Sequence, residues 1–90
     1  MVTLTIDPSA KTPSLASTVN VGGGTWNYGT EPNGGFKGCY SQYTHPSKYH
    51  SSTAIIASSN DKGYANAGSW SYAYATAGWA YTCNVYWGTY

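Results

Sequence analysis

The 90-residue chain contains no arginine, only four lysines and three acidic residues, and its charged fraction of 8% is far below the about 25% usual in soluble domains. So few cations, none of them clustered, do not make the basic footprint that duplex nucleic acid or an anionic membrane surface requires. Aliphatic bulk is equally scarce: Val2, Leu4, Ile6, Leu15, Val19, Val21, Ile55, Ile56 and Val85 are the only branched aliphatic side chains. No stretch reaches the ~20 apolar residues of a membrane-spanning helix. Met1 to Asn20 also lacks the basic start and apolar run of an intact signal peptide. The chain as it stands is therefore expected to be a mature or a cytosolic form.

With so little aliphatic material, ten Tyr, four Trp and one Phe must build the interior. Trp26, Trp70, Tyr72, Trp79 and Trp87 are expected to be mostly core. Tyr40, Tyr43, Tyr49, Tyr64, Tyr86 and Tyr90 exceed what a small core can hide, and exposed Tyr suits sugars, lipid interfaces and proteins alike. Low net charge and abundant aromatics argue against disorder. Cys39 and Cys83 are too far apart for CxxC redox chemistry or a paired-cysteine zinc site. A long-range disulfide, and hence an oxidising compartment, fits better; two buried thiols are the alternative.

Alternation with period two runs through the chain from Gly24 on, the mark of strands. Trp70, Tyr72 and Tyr74 share one face, and Trp79, Tyr81, Cys83, Val85 and Trp87 another, with Thr76-Ala77-Gly78 as the turn of an antiparallel hairpin between them. Trp26–Tyr28, Cys39–Tyr43 and Thr53–Ala57 are further short strands. They are separated by Glu31-Pro32-Asn33-Gly34-Gly35 and by a turn at Asn60-Asp61-Lys62-Gly63. The fold class expected is all-β, a small antiparallel β-sandwich with an aromatic core. Before it, Val2, Leu4 and Ile6 alternate, Pro8 and Pro13 interrupt, and Gly22-Gly23-Gly24 marks a break. Residues 1–23 accordingly read as an extension or linker, and 24–90 as the domain. Processing after Gly23 is disfavoured, because no amphipathic leader helix precedes it.

Chemistry-bearing residues gather in Tyr43-Thr44-His45-Pro46-Ser47-Lys48-Tyr49-His50-Ser51-Ser52. A spacing of five sets His45 and His50 on opposite faces of a strand and about 140° apart on a helix. A metal site would need a bend at Pro46 and Asp61 as third ligand, so neither a metal nor another cofactor is expected. Only Asp7, Glu31 and Asp61 are available to orient a catalytic histidine or form a carboxylate pair, and there is no Gly-x-Ser-x-Gly elbow. An enzyme is not expected.

Gly24-Thr25-Trp26-Asn27-Tyr28-Gly29, then the block Tyr40 to Ser52, then Ala67-Gly68-Ser69-Trp70-Ser71-Tyr72-Ala73 and the aromatic C-terminus resemble the lactococcin 972 family of bacteriocins. The order and spacing match across roughly residues 24–90, and the central block is the specific element. The cysteine pair and the segment before Gly22 lie outside that pattern, and Thr44-His45 replaces a pair often read as His-His or Tyr-His. The resemblance implies a secreted, non-enzymatic sandwich of two antiparallel sheets that inhibits Gram-positive bacteria through the cell-wall precursor lipid II at the septum. On that reading His45, Lys48 and His50, flanked by Tyr43 and Tyr49, contact the ligand, and imidazole protonation near about pH 6 adds charge to the contact. The bland alternative is a solvated loop whose histidines only cap backbone groups. A wall- or glycan-binding adhesion module is the competing function.

Overall fold

A period of two implies strands that bury one face, and the described residues form eight of them. The computed structural model describes residues 2–6 and 15–90, with side chains from Ser17 onward. The strands are β1 (Val2–Ile6), β2 (Leu15–Val21), β3 (Gly24–Asn33), β4 (Phe36–Thr44), β5 (His50–Ile56), β6 (Ser59–Ala65), β7 (Trp70–Ala77) and β8 (Cys83–Thr89). They make two four-stranded sheets, ordered β1-β8-β5-β6 and β2-β3-β4-β7, in which every pairing is antiparallel. The expected all-β sandwich is the fold.

Small residues dominate the facing layers. In the second sheet Cys39, Ser41 and Tyr43 lie opposite Ala75, Ala73 and Ser71. In the first, Ser52, Ala54 and Ile56 lie opposite Trp87, Val85 and Cys83. All of these side chains are buried. Large residues on both layers would hold the sheets ~10 Å apart, whereas here side chains of one sheet reach the main chain of the other. Ser41 Oγ donates to the Tyr86 carbonyl at 2.9 Å while accepting from Trp26 Nε1 at 2.9 Å. Ser52 and Ser71 hydroxyls meet at 2.7 Å, and Ser71 donates onward to the Tyr43 carbonyl. Cys39 and Cys83, 44 residues apart in sequence and 5.6 Å apart at Cα, are joined as the disulfide from β4 to β8.

Several local expectations change. β7 and β8 do not form a hairpin: β7 pairs with β4, and β8 with β1 and β5, so Gly78 to Thr82 crosses between sheets. Pairing with β4 turns Ser71, Ala73 and Ala75 inward, leaving Tyr72 59% and Tyr74 38% exposed rather than in the core. Trp70 and Trp79 are half-buried. Asn60-Asp61-Lys62-Gly63 is not a turn but part of edge strand β6; the turn is Ala57-Ser58, where Ala57 adopts φ 52°. Gly34-Gly35, at φ 57° and 90°, and Gly22-Gly23, at 62° and 87°, are two-residue hairpin turns whose positive φ values glycine reaches without steric cost.

One side of the sandwich is sealed by β6 lying against β7. A Cβ on Gly63 would sit only 2.2 Å from the Tyr72 carbonyl oxygen, and the Asp61 carboxylate accepts the Tyr74 amide N–H at 3.0 Å. On the other side stand β1 and β2, within the segment read as extension or linker. β1 pairs with β8 from Val2↔Trp87 to Ile6↔Cys83, and β2 with β3 from Leu15↔Thr30 to Val21↔Gly24. The Pro8 and Pro13 interruption lies outside the described residues.

Replacing Cys39 and Cys83 together by Ser is expected to lower unfolding free energy by about 2–4 kcal/mol, as loop-closure entropy predicts for so long a loop; denaturant melts measure it. Deleting residues 1–20 removes only edge strands and spares Val21, so unfolding should stay cooperative at a lower Tm. A non-cooperative melt would make β1 and β2 integral to the domain and move its boundary.

Candidate functional site

Three segments meet at one end of the sandwich: the Gly22-Gly23 turn, the loop from His45 to Tyr49 between β4 and β5, and the turn from Asn66 to Ser69 before β7. Tyr43, at the end of β4, holds the first of them. Its buried hydroxyl donates to the Val21 carbonyl at 2.8 Å. Burial pushes this phenol above its ordinary range, and a bond with the Gly24 backbone only partly opposes that. Its ring stacks on Trp87 with centroids 4.9 Å apart. Gly22 rests against that indole, where a Cβ would come within 2.2 Å of the ring.

The histidines fix the loop from inside. His45 is 4% exposed; its Nδ1 accepts the Ser47 and Lys48 amides, both at 3.1 Å, and its Nε2 faces the Gly22 carbonyl at 3.1 Å. That pattern selects the tautomer with hydrogen on Nε2. His50 is fully buried between two carbonyls, Lys48 O at 2.8 Å from Nδ1 and Ser69 O at 2.7 Å from Nε2. Thr44 Oγ1 also donates to Ser69 O, and the Gly68 amide to His45 O. Thus Tyr43, His45 and His50 are brought together, with both imidazoles near the Tyr43 ring, and they cap and brace backbone groups.

What the loop presents is Pro46 to Tyr49, all exposed. The Lys48 ammonium has no ion pair or hydrogen bond among the described residues. Tyr49 joins a cluster foreseen only as surplus tyrosine: it stacks on Tyr64 at 5.7 Å and 8°, and Tyr90 lies 6.0 Å from each. Tyr90 is anchored by its amide to Tyr49 O and by its hydroxyl to Ser51 Oγ. Lys62 Nζ stands 5.1 Å from the Tyr64 ring centroid. Its ammonium is held above its ordinary pKa, first by its polar interaction with the Tyr64 side chain. The sequence signal for this partner was Lys62-Gly63-Tyr64, two residues apart on one strand face.

A cleft of about 590 Å³ opens beside the same loop, lined by Gly23, Gly24, Thr25, Thr44, Pro46 and Gly68 among others. Among the described residues, neither Glu31 nor Asp61 bonds a histidine, and no hydroxyl is hydrogen-bonded to either ring. No group of three or more potential metal ligands occurs among the described residues. This arrangement positions a cation and aromatic faces beside glycine-rich turns.

The burial difference sets a mutational contrast. His50→Ala removes the ring that bridges the Lys48 and Ser69 carbonyls and leaves a void beside Tyr43, and should cost about 2–4 kcal/mol. Lys48→Ala should stay within about 0.5 kcal/mol of the parent. Denaturant titration of both variants measures the gap.

The segments that meet here overlap the blocks that carried the sequence resemblance, at Gly24-Thr25, Thr44 to Ser52 and Ala67 to Ser71. The model of the bacteriocin family lactococcin 972 matches residues 22–87, beginning at the turn that Tyr43 and His45 secure. No curated protein and no solved structure matches the chain. On the extent of that family match, the chain belongs to the lactococcin 972 family of bacteriocins.

Proposed function

We propose that this bacteriocin is secreted, acts without catalysis, and inhibits Gram-positive bacteria by binding lipid II through the end of the sandwich that carries Lys48 and Tyr49. The observation that carries the reading is the division of labour in the loop. Its two imidazoles are buried and committed to backbone, which holds Lys48 outward without a competing carboxylate. A ligand with a pyrophosphate joined to a polyprenyl chain and to sugars needs a cation, amide donors and apolar faces close together. Lys48 and Lys62 supply charge, the glycine-rich turns supply N–H groups, and the Tyr49, Tyr64 and Tyr90 rings supply apolar faces. Tyr43, His45 and His50 serve by position, beneath the contact surface.

Purified protein should inhibit growth of Gram-positive indicator cells, and added lipid II should relieve it. Lys48→Ala removes one charge-assisted contact, worth roughly 1.5–3 kcal/mol, so potency and lipid II binding should fall about tenfold or more with the melt unchanged. Inhibition that persists in excess lipid II rejects the ligand; undiminished potency of folded Lys48→Ala rejects the site. A protein that inhibits nothing but is retained on cell walls would be an adhesion module.

A further inference from the structure

Away from that loop, the outer face of the second sheet is laid out in rows. Thr18, Asn27, Gln42 and Tyr72 lie side by side across β2, β3, β4 and β7, and the next row holds Ala16, Gly29, Tyr40 and Tyr74. Gly29 contributes no side chain to its row. A cleft of about 560 Å³ opens there, lined chiefly by Thr18, Asn27, Glu31, Tyr40, Gln42 and Tyr74. That volume lies within the range of about 300–1,000 Å³ typical of small-ligand sites.

Part of the lining is braced and part is free. Thr18 Oγ1 donates to Asn27 Oδ1 at 2.7 Å, which aims the Asn27 NH₂ away from Thr18. The Tyr74 hydroxyl donates to Glu31 Oε2 at 3.3 Å and accepts from Asn33 Nδ2 at 3.1 Å. The Gln42 amide, the Tyr40 hydroxyl, the Asn27 NH₂ and the second Glu31 oxygen have no hydrogen-bond partner among the described residues. Burial, and secondly the Glu31 charge, pushes the Tyr40 phenol above its ordinary range, so it stays a neutral donor and acceptor.

A ligand here meets amide and phenol groups that both give and take hydrogen bonds, one carboxylate and, among the described residues, no cation, beside two neighbouring aromatic rings. Phosphates and carboxylates are disfavoured by Glu31, and a purely apolar ligand would strand the free amides. Hydroxyl groups, which donate and accept at once, fit the mixture, and the C–H faces of a sugar ring fit the tyrosines. We propose that this cleft is a second binding site, for a neutral oligosaccharide, separate from the Lys48 end.

The test uses the full chain, titrated with the tetramer of N-acetylglucosamine and with cellotetraose, followed by the side-chain amide NMR signals of Asn27 and Gln42. Saturable shifts at those amides are expected with at least one of the two sugars. Gln42→Ala and Tyr40→Phe, each removing a polar group that holds nothing else in place, should weaken that binding several-fold to about tenfold, with melts unchanged. Lys48→Ala should bind the sugar as the parent does, even where its potency is lost. No saturable shift with either sugar, shifts confined to the Tyr49, Tyr64 and Tyr90 end, or undiminished affinity in Gln42→Ala overturns the proposal.

Discussion

Close approach of the two sheets is the constraint on which the rest depends. It requires small side chains where the layers face each other, and Cys39, Ser41, Ser52, Ala54, Ser71, Ala73 and Ala75 supply them. Burying hydroxyls is unfavourable unless each finds a partner. Ser41, Ser52 and Ser71 find theirs largely across the gap, on the other sheet's main chain or hydroxyls. Polar bonds thus do at the centre what aliphatic bulk does in most sandwiches, and the disulfide locks the same spacing covalently.

The same spacing decides where the aromatic residues go. Trp26, Tyr43 and Trp87 are the large rings that the interior does hold, and there Tyr43 stacks on Trp87 and lies against the histidines. Tyr28 packs partly against the core, and most of the remaining tyrosines become surface. Six of them divide between the Tyr49, Tyr64 and Tyr90 cluster and Tyr40, Tyr72 and Tyr74 on the second sheet, so both proposed contact surfaces follow from the exclusion of large rings from the inter-sheet space.

The architecture was legible in the period-two pattern and the glycine-rich turns, and the cysteine pair was legible in its isolation. The side chains on β7 were not. Counting aliphatic residues suggests that Trp70, Tyr72 and Tyr74 face inward, because a core needs volume; only the register against β4 reveals that the layer there has none to spare. The polar edge strand β6 has the composition of a turn, because an edge needs few apolar residues, and local sequence cannot separate the two. In the candidate site, the central block drew attention through its charge and histidines. Burial then divided it: a lone sequence cannot say that His45 and His50 point into the protein while Lys48 points out, since that depends on contacts with Gly22 and Ser69 far along the chain. The second-sheet cleft depends on strand neighbours, which alternation alone does not identify.

An exposed strand edge invites another chain to add to it. On the β7 side that invitation is withdrawn, because Asp61 occupies the Tyr74 N–H and Gly63 lets β6 lie flush against the Tyr72 main chain. Strand addition by a second molecule is thereby confined to the β1 and β2 side. A stack built by strand addition needs open edges on opposite sides of each molecule, and this closure removes those of one side from a tyrosine-rich, weakly charged protein.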